Sequence, residues 1–261
     1  MKIRSLLLVL IMTSFWTTAV FAGKPPGSTT TTPGKFDYYV LALSWQPAFC
    51  ESHTDKVECK NQTEDRFDAK NLAIHGLWPS KRGDTKHTYA YCGVSKKIKN
   101  LDNPETWCSM PKLNLSDDTG KKLSEYMPGY ASCLQNHEWY KHGTCTGLKP
   151  NDYFATESMF DAKIADTNLG KFISANIGKT VTSNDMRSEF EKDYGTGSNK
   201  YLNLFCEKAH GVAMLSEVRI YLKNKLPKNG DLNGFFALPD KSERGDCPDS
   251  ILIDQAGVSG N

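Results

Sequence analysis

The chain has 261 residues, which suits one large domain or two small ones, and its formal net charge is +2 at pH 7. This near balance of charges excludes a broad basic surface as the means of binding a polyanion, so any such binding must come from a local site. The eight cysteines include no close Cys-x-x-Cys pair of the kind that holds structural zinc. In an exported chain an even number of cysteines indicates four disulfide bonds, although not their pairing.

Residues 1–22 have the features of a secretory signal peptide. Lys2 and Arg4 precede an apolar run that ends near Met12, and a cut after Ala22 would have small residues at its −3 and −1 positions. An uncleaved membrane anchor is the weaker interpretation, because the apolar run is too short to span a bilayer comfortably. We therefore expect an exported chain with no membrane association after cleavage. Removing Lys2 and Arg4 reduces Lys and Arg from 32 to 30, which equals the 30 Asp and Glu.

Residues 23–35 contain Pro, Gly, Thr and Lys but no apolar side chain, a composition that predicts a flexible or extended leader. The fold should begin at Phe36, and we expect residues 36–261 to form a single domain because they contain no internal repeat and no clear linker. Phe36 to Trp45 is aromatic and β-branched, which predicts a central strand buried on both faces and stopped by Pro47.

A second short strand is predicted from Asn71 to Trp78, stopped by Pro79. The middle of the chain has helical patterns with recognisable caps. One helix is predicted to follow a cap at Ser116–Asp118 and to end at about Tyr126, and a second to run from about Ser132 to Lys141. One or two more are predicted within Asp152–Ile177, and a further helix follows a cap at Thr182–Asp185 and ends at about Lys192. Strand-like alternation returns at Tyr201–Phe205 and Val212–Leu222. Because strands and helices do not alternate regularly, we expect an α+β fold with a mainly antiparallel sheet.

The predicted helix that ends at Lys141 carries the richest chemistry. Residues 136–145 read Asn-His-Glu-Trp-Tyr-Lys-His-Gly-Thr-Cys. At about 100° per residue, one helical face presents four ionisable side chains, while the two aromatic side chains lie on the other side. The four are His137, Glu138, Lys141 and His142.

Three interpretations of this face compete. A zinc site would need two histidines at i and i+4, whereas His137 and His142 are at i and i+5, about 140° apart, with the cationic Lys141 between them. A run of charged residues usually forms a helix face exposed to solvent. That interpretation is less favoured here, because three of these four groups are His or Lys inside a segment that ends at Cys145. The third interpretation, an anion site in which His and Lys contact phosphate and Glu138 steadies them, fits best.

A second candidate element is His75-Gly76-Leu77-Trp78-Pro79. Taken alone, His75 would more often be structural than catalytic, and Trp78 more often part of the core than a platform for a base. Together with the cluster at 137–145, however, the segment from Ile74 to Pro79 resembles the first active-site segment of the ribonuclease T2 family. The cluster resembles the second segment at every characteristic position. The resemblance spans Phe36 to about Cys145, and the cysteine pattern extends it to Cys247.

The resemblance implies an α+β, disulfide-stabilised fold and endonucleolytic cleavage of single-stranded RNA with little base preference. The 2′-OH of the substrate would attack its own phosphate, giving a 2′,3′-cyclic phosphate that is then hydrolysed to a 3′-phosphate. Histidine suits both proton transfers because its unperturbed pKa lies near neutrality. No metal or other cofactor is expected.

The resemblance also implies roles for individual residues. His75 and His142 form the acid–base pair, and we favour His142 as base and His75 as acid, although the sequence does not settle the direction. Glu138 and Lys141 stabilise developing charge, and His137 binds phosphate. Two further positions concern the base: Trp78 resembles the stacking residue of the family, whereas Ser80 stands where some relatives carry an acidic residue that favours a purine.

Two disulfide bonds follow from the resemblance, Cys92–Cys145 and Cys206–Cys247. For the other four cysteines, Cys50–Cys59 with Cys108–Cys133 is a guess. The form of the signal and of the second segment indicates a bacterial protein. It would then be periplasmic in a Gram-negative organism and otherwise extracellular. We expect a monomer whose partner is the RNA substrate. Two other hypotheses remain open: a secreted binding protein without catalysis on the same fold, and a metal-dependent hydrolase.

Overall fold

The computed structural model describes residues 31–209, 211–241 and 243–257. The predicted signal peptide and the first eight residues of the leader lie outside these ranges. Across the ranges described, no helix combines the length and the apolar character needed to cross a membrane.

One sheet of six strands organises the described part of the chain. The strands are β1 (Tyr38–Ser44), β2 (Ala73–Ser80), β3 (Thr180–Thr182), β4 (Leu202–Ala209), β5 (Val212–Lys223) and β6 (Ser250–Leu252). Their spatial order is β2-β1-β5-β6-β3, and β4 lies along the other edge of β5. Every pairing is antiparallel except the one between β5 and β6, which confirms the mainly antiparallel sheet.

The first two strands agree with the predictions from the sequence except at their ends. β1 lies between β2 and β5, and Tyr38 to Leu43 are all buried, as expected for a central strand. The prediction that Pro79 stops β2 is wrong, because the strand continues to Ser80. β2 is at the edge of the sheet, and an edge strand tolerates proline because only one of its sides must donate hydrogen bonds.

Eight α-helices are present in the described ranges. They are α1 (Gln46–Ser52), α2 (Val57–Lys60), α3 (Lys96–Lys99), α4 (Asp117–Tyr126), α5 (Leu134–Lys141), α6 (Pro150–Ala165), α7 (Asn168–Ala175) and α8 (Ser183–Tyr194). The predicted caps are confirmed, since Ser116 accepts from the amide of Thr119 and Thr182 forms a capping box with Asp185. Pro47 does more than end β1, because it occupies the first turn of α1, a helix that the sequence analysis missed.

The two faces of the sheet differ. The helices pack against one face, where Val218, Ile220 and Leu222 of β5 join the main apolar core. Alternate residues of β5 point to the opposite face, where Tyr221 packs against Tyr38 and Val40 in a small separate cluster. The cleft described below opens on this second face.

Four disulfide bonds join Cys50 to Cys59, Cys92 to Cys145, Cys108 to Cys133 and Cys206 to Cys247, which is the expected pairing. Residues 31–34 of the leader contact the protein near the bond between Cys92 and Cys145. The hydroxyl of Thr31 donates to the carbonyl of Ala90, and the amide of Gly34 donates to the carbonyl of Cys145. These contacts extend the folded unit to the N-terminal side of Phe36.

Two carboxyl groups of α6 lie buried beneath the sheet, where they affect stability. Glu157 and Asp161 are one helical turn apart and are 0% and 1% exposed. Their oxygens have no well-aligned hydrogen-bond partner within the described ranges, although the hydroxyl of Tyr153 interacts with Glu157. Burial raises the pKa of both groups well above the ordinary value, and the charge of Glu138 raises the pKa of Glu157 further. Both side chains therefore keep their proton to higher pH in the fold than in the unfolded chain.

We expect Glu157→Gln to stabilise the protein increasingly as the pH rises above about 4.5, the ordinary pKa of glutamate. Above that pH the unfolded chain ionises Glu157 while the fold keeps it protonated, so the wild type loses stability by about 1.4 kcal/mol per pH unit until the folded pKa is reached. Urea unfolding at pH 5 and pH 8 measures this difference. Glu125→Gln, at an exposed position of α4, is the matched control and should leave the pH dependence unchanged. An identical pH dependence for Glu157→Gln and wild type would contradict the prediction.

Candidate active site

β2 supplies the first functional side chain at an irregularity of the sheet. Ala42 pairs with Gly76 and Leu43 with Ile74, so His75 is the extra residue of a β-bulge. A bulge turns the side chain of its extra residue away from the regular alternation of the strand. The imidazole of His75 accordingly reaches the cleft and keeps 35% of its surface exposed.

Gly76 allows helix α5 to approach β2 closely. A Cβ at this position would lie 2.1 Å from Glu138 Oε2 and 2.4 Å from Trp78 Nε1. Because Gly76 has no Cβ, the indole N–H of Trp78 can donate to Glu138 Oε2 at 2.8 Å. The second oxygen of the fully buried Glu138, Oε1, lies 3.9 Å from Nε2 of His75 and 3.8 Å from Nε2 of His137. One carboxylate thus contacts groups from both predicted segments.

α5 and the residue that follows it supply the remaining predicted groups. α5 begins two residues later than predicted, since Cys133 has a left-handed backbone (φ 64°) and is its N-cap. His142 ends the helix with φ −112° and ψ −53°. At Gly143, a Cβ would lie 2.4 Å from the ring of Trp139, so the glycine lets that ring pack behind the site against the core.

Two carboxylates that the sequence analysis did not identify each hold a histidine through its Nδ1 atom. His75 Nδ1 lies 2.5 Å from Glu217 Oε2, and His137 Nδ1 lies 2.5 Å from Asp102 Oδ1. Asp102 also accepts from Nε1 of Trp107 at 2.8 Å and from the hydroxyl of Tyr91. In each imidazole Nδ1 is thus engaged, which leaves Nε2 for the cleft.

The environments of His75 and His142 are opposite in charge. Burial alone would lower the pKa of His75, but its bond to Glu217 and the negative charges of Glu217 and Glu138 raise that pKa above the ordinary value. Burial and the positive charges of Lys141 and neighbouring histidines hold the pKa of His142 well below the ordinary value. The imidazole of His75 therefore keeps its proton to higher pH than an ordinary histidine, and the imidazole of His142 loses its proton at lower pH.

The predicted catalytic and binding groups meet in one cleft with a volume of about 300 Å³. The six predicted site residues line it together: His75, Trp78, His137, Glu138, Lys141 and His142. Ring centroids are 5.3 Å apart for Trp78 and His142, and 6.1 Å apart for His137 and His142. The aromatic, cationic and acid–base groups therefore face the same space.

A model of the family described as "Ribonuclease T2 family" matches residues 36–231. The chain belongs to this family. Ribonuclease I of Escherichia coli (strain K12) is 38% identical over 240 residues, a match covering 86% of this chain and 88% of that protein. Ribonuclease S-2 of Pyrus pyrifolia is 26% identical over 189 residues, covering 71% of this chain and 76% of the relative. The protein is an endoribonuclease whose substrate is RNA.

Solved structures show the same fold. The SF11-RNase of Nicotiana alata, associated with self-incompatibility, aligns with a TM-score of 0.57 at 20% identity, covering 84% of this chain and all of that one. Ribonuclease MC1 from the seeds of bitter gourd aligns with a TM-score of 0.52 at 19% identity, covering 83% of this chain and 100% of that chain. These likenesses confirm the predicted α+β architecture of the ribonuclease T2 family.

Sequence analysis missed several residues of this ribonuclease T2 site. Glu217 and Arg219 interrupt the apolar pattern of β5 on alternate positions, a signal that was present in the sequence but was not used. Asp102 lies outside the α-helices and strands and carried no comparable signal. Two more cleft residues, Asp240 and Glu243, lie beyond the part that the family model matches.

His137 and His142 lie closer together than a regular helix would place them. His137, Glu138 and His142 each offer a donor atom, and the three atoms lie within 4.8 Å of one another. The expected divergence of the two histidines is wrong, because His142 lies past the last residue of α5 and departs from helical geometry. Within the described ranges these three residues are a possible donor set, although Lys141 lines the same cleft and Glu138 Oε2 already accepts from Trp78.

Proposed function

We propose that this ribonuclease T2 family member cleaves single-stranded RNA by acid–base catalysis without a metal, with His142 as the base and His75 as the acid. One observation carries the proposal: two imidazoles with opposite electrostatic environments face one cleft. The neutral imidazole of His142 is suited to accept a proton, and the protonated imidazole of His75 is suited to donate one.

The first step would be an internal transesterification. His142 takes the proton of the 2′-OH, the 2′-oxygen attacks the adjacent phosphorus, and the bond from phosphorus to the 5′-oxygen of the next nucleotide breaks. His75 gives its Nε2 proton to that departing oxygen. The products are a 2′,3′-cyclic phosphate and a free 5′-OH. In the slower second step the roles reverse, since His75 activates water and His142 protonates the 2′-oxygen, leaving a 3′-phosphate.

Of the other three groups, Lys141 and His137 would stabilise charge on the phosphate and Glu138 would orient the histidines. Lys141 lines the cleft as a cation, and a preorganised donor of this kind contributes about 3–4 kcal/mol to transition-state stabilisation. His137 is held through Nδ1 by Asp102, which directs its Nε2 towards the phosphate. Glu138 Oε1 is buried without a hydrogen-bond partner among the described residues, 3.8–3.9 Å from the Nε2 atoms of His75 and His137. We infer that it orients both imidazoles.

Trp78 would stack on a base of the substrate. Its indole N–H is anchored by Glu138, which sets the orientation of the ring at the cleft wall. Stacking of this kind contributes about 1–3 kcal/mol and accepts any base, in keeping with low base specificity. A second cavity of about 290 Å³, which includes Phe49 and Trp107, also touches His75. Because His75 would protonate the oxygen between two nucleotides, we infer that the following nucleotide occupies this second cavity.

We further propose a monomer that is exported and, in a Gram-negative bacterium, periplasmic. The four disulfide bonds support export, because such bonds persist in oxidising compartments. Cleavage after Ala22 would leave the leader 23–35 and one catalytic domain, 36–261. The alternative of a non-catalytic binding protein is not favoured, since the full set of acid–base and cationic groups lines the cleft.

Digestion of an oligoribonucleotide and its 2′-deoxy counterpart tests the proposal directly. We expect cleavage of the ribo-oligonucleotide only, with a 2′,3′-cyclic phosphate detected by mass spectrometry before the 3′-phosphate, because the attacking group is the 2′-OH. We expect the same rate in 5–10 mM EDTA, roughly the range that strips weakly held divalent ions. Cleavage of the deoxy strand, or inactivation by EDTA that zinc restores, would overturn the mechanism.

A further inference from the structure

The side chains behind His75 form a chain of contacts that the proposed reaction does not yet use. Glu217 Oε2 lies 2.5 Å from Nδ1 of His75, and Glu217 Oε1 lies 2.5 Å from Nε of Arg219. Glu217 is 8% exposed, so its contacts are largely sheltered from water. A sheltered carboxylate interacts more strongly with an adjacent imidazolium than an exposed one does.

The backbone is irregular at both ends of this contact. His75 is the extra residue of the bulge in β2. A second bulge occurs in β5, where Phe205 pairs with Glu217 and Cys206 pairs with Leu215, so that Ser216 is the extra residue next to Glu217. Bulges re-aim side chains beside active sites. Two of them at this contact turn the imidazole and the carboxylate towards each other across β1.

Arg219 in turn holds the carboxylate. Its guanidinium lies between two aromatic rings, 4.1 Å from the centroid of Phe205 and 5.1 Å from that of Trp78. The carboxylate oxygen Oε2 of Glu243 lies 3.5 Å from Nη1 of the same guanidinium. An arginine packed in this way has little rotational freedom, and its planar fork fixes the carboxylate that it binds.

We propose that Glu217, fixed by Arg219, is a positioning residue that keeps a proton on Nδ1 of His75 and directs Nε2 towards the scissile phosphate. This inference rests on the proposed role of His75 as the acid. The charge of Glu217 also favours the doubly protonated imidazole, the form that can give the Nε2 proton to the departing 5′-oxygen.

Other charged groups face His75, and the test must separate their effects from that of Glu217. From the cleft side these groups are Arg219, Glu138, His137, Lys141 and His142. The same cleft is lined further by the charged or titratable side chains of Lys81, Asp84, His87, Asp240 and Glu243. From the second cavity they are His53, Lys56 and Glu58. Oε1 of Glu138 lies 3.9 Å from Nε2 of His75, on the side of the imidazole opposite to the contact with Glu217. Changing Glu217 therefore alters the contacts of Nδ1 and of Arg219 and leaves Glu138, the carboxylate near Nε2, in place.

Glu217→Gln is the informative variant, because the amide oxygen can still accept from Nδ1–H while the negative charge is lost. We expect the alkaline limb of the kcat/KM profile on RNA to move to lower pH, because the pKa of His75 falls and the acid loses its proton earlier. At pH 8 kcat/KM should fall about tenfold or more relative to wild type, with a much smaller effect near pH 5–6. A purely structural role would lower activity equally at all pH values and leave the limb in place.

Glu125→Gln, the same chemical change on the exposed side of α4, is the control and should retain the wild-type profile. A second measurement does not use the Glu217 variant. It is an NMR titration of the imidazole protons of the wild type, assigned with His75→Ala and His142→Ala. The titration midpoint of His75 should lie above its ordinary value of 6.5 and that of His142 below it.

The outcomes separate this inference from the proposed function. If His75→Ala is inactive but Glu217→Gln keeps the wild-type alkaline limb, the positioning role is overturned and the acid role of His75 stands. If His75 titrates at or below its ordinary value in the wild type, the positioning role is likewise overturned. If His75→Ala retains full activity, the proposed function itself fails, and this inference fails with it.

Discussion

Replacing His142 with alanine should reduce kcat on single-stranded RNA by about 10²–10⁴-fold, the range expected when a general base is removed. His142 has the lowered pKa that keeps its imidazole neutral, and it lies in the cleft beside Trp78 and His137. The measurement is the initial rate of cleavage of a fluorescent oligoribonucleotide, with product release checked by mass spectrometry.

Two comparisons make the result interpretable. His142 is only partly buried and follows the last residue of α5, so the variant should unfold in urea at nearly the same concentration as wild type. Any loss of rate then belongs to the chemistry. Lys122→Ala, which removes an exposed cation of α4 instead, should leave the rate within about twofold. A His142→Ala protein that retains its fold and cleaves RNA at the wild-type rate would exclude His142 as the base.

Removing the disulfide bond between Cys92 and Cys145 should cause the second large effect. The bond closes a loop with a sequence separation of 53 residues, for which the loss of chain entropy in the unfolded state predicts a stabilisation of about 4 kcal/mol. We therefore expect Cys92→Ser with Cys145→Ser to lower the free energy of unfolding by about that amount, measured in urea at pH 7 under non-reducing conditions.

The bond between Cys50 and Cys59 is the matched control. Its separation is only 9 residues, so the same double replacement should cost about 2.5 kcal/mol. The two variants also differ in what lies nearby. Cys92 follows Tyr91, whose amide donates to the carbonyl of Lys141 and whose hydroxyl donates to Asp102, so losing the longer bridge should also lower kcat. Equal losses of stability in the two variants would show that loop length does not govern the effect.

Much of the site could be predicted because the chemistry is concentrated in two short segments. His75 and Trp78 are three residues apart, and His137 to His142 lie within six, so local patterns and the family resemblance were enough to identify them. The strands and helices that carry them were also predicted within a few residues. The guess for the pairing of Cys50, Cys59, Cys108 and Cys133 agrees with the structure.

The residues that hold the histidines could not be found in this way. Glu217 is 142 residues from His75, and Asp102 is 35 residues from His137, so their contacts depend on strand register and loop packing. The position of His142 depends on where α5 ends, and a regular helical wheel does not describe the residue beyond that end. Single residues at bulges and helix ends, such as His75 and His142, therefore escape arguments from periodicity.

The place of β6 in the sheet bears on how the fold is completed. β6 (Ser250–Leu252) lies between β5 and β3 and so joins β3 to the other strands, while Asp240 and Glu243, shortly before it, line the cleft. Strand β3 and part of the cleft wall therefore depend on a segment that lies far along the chain from both catalytic segments.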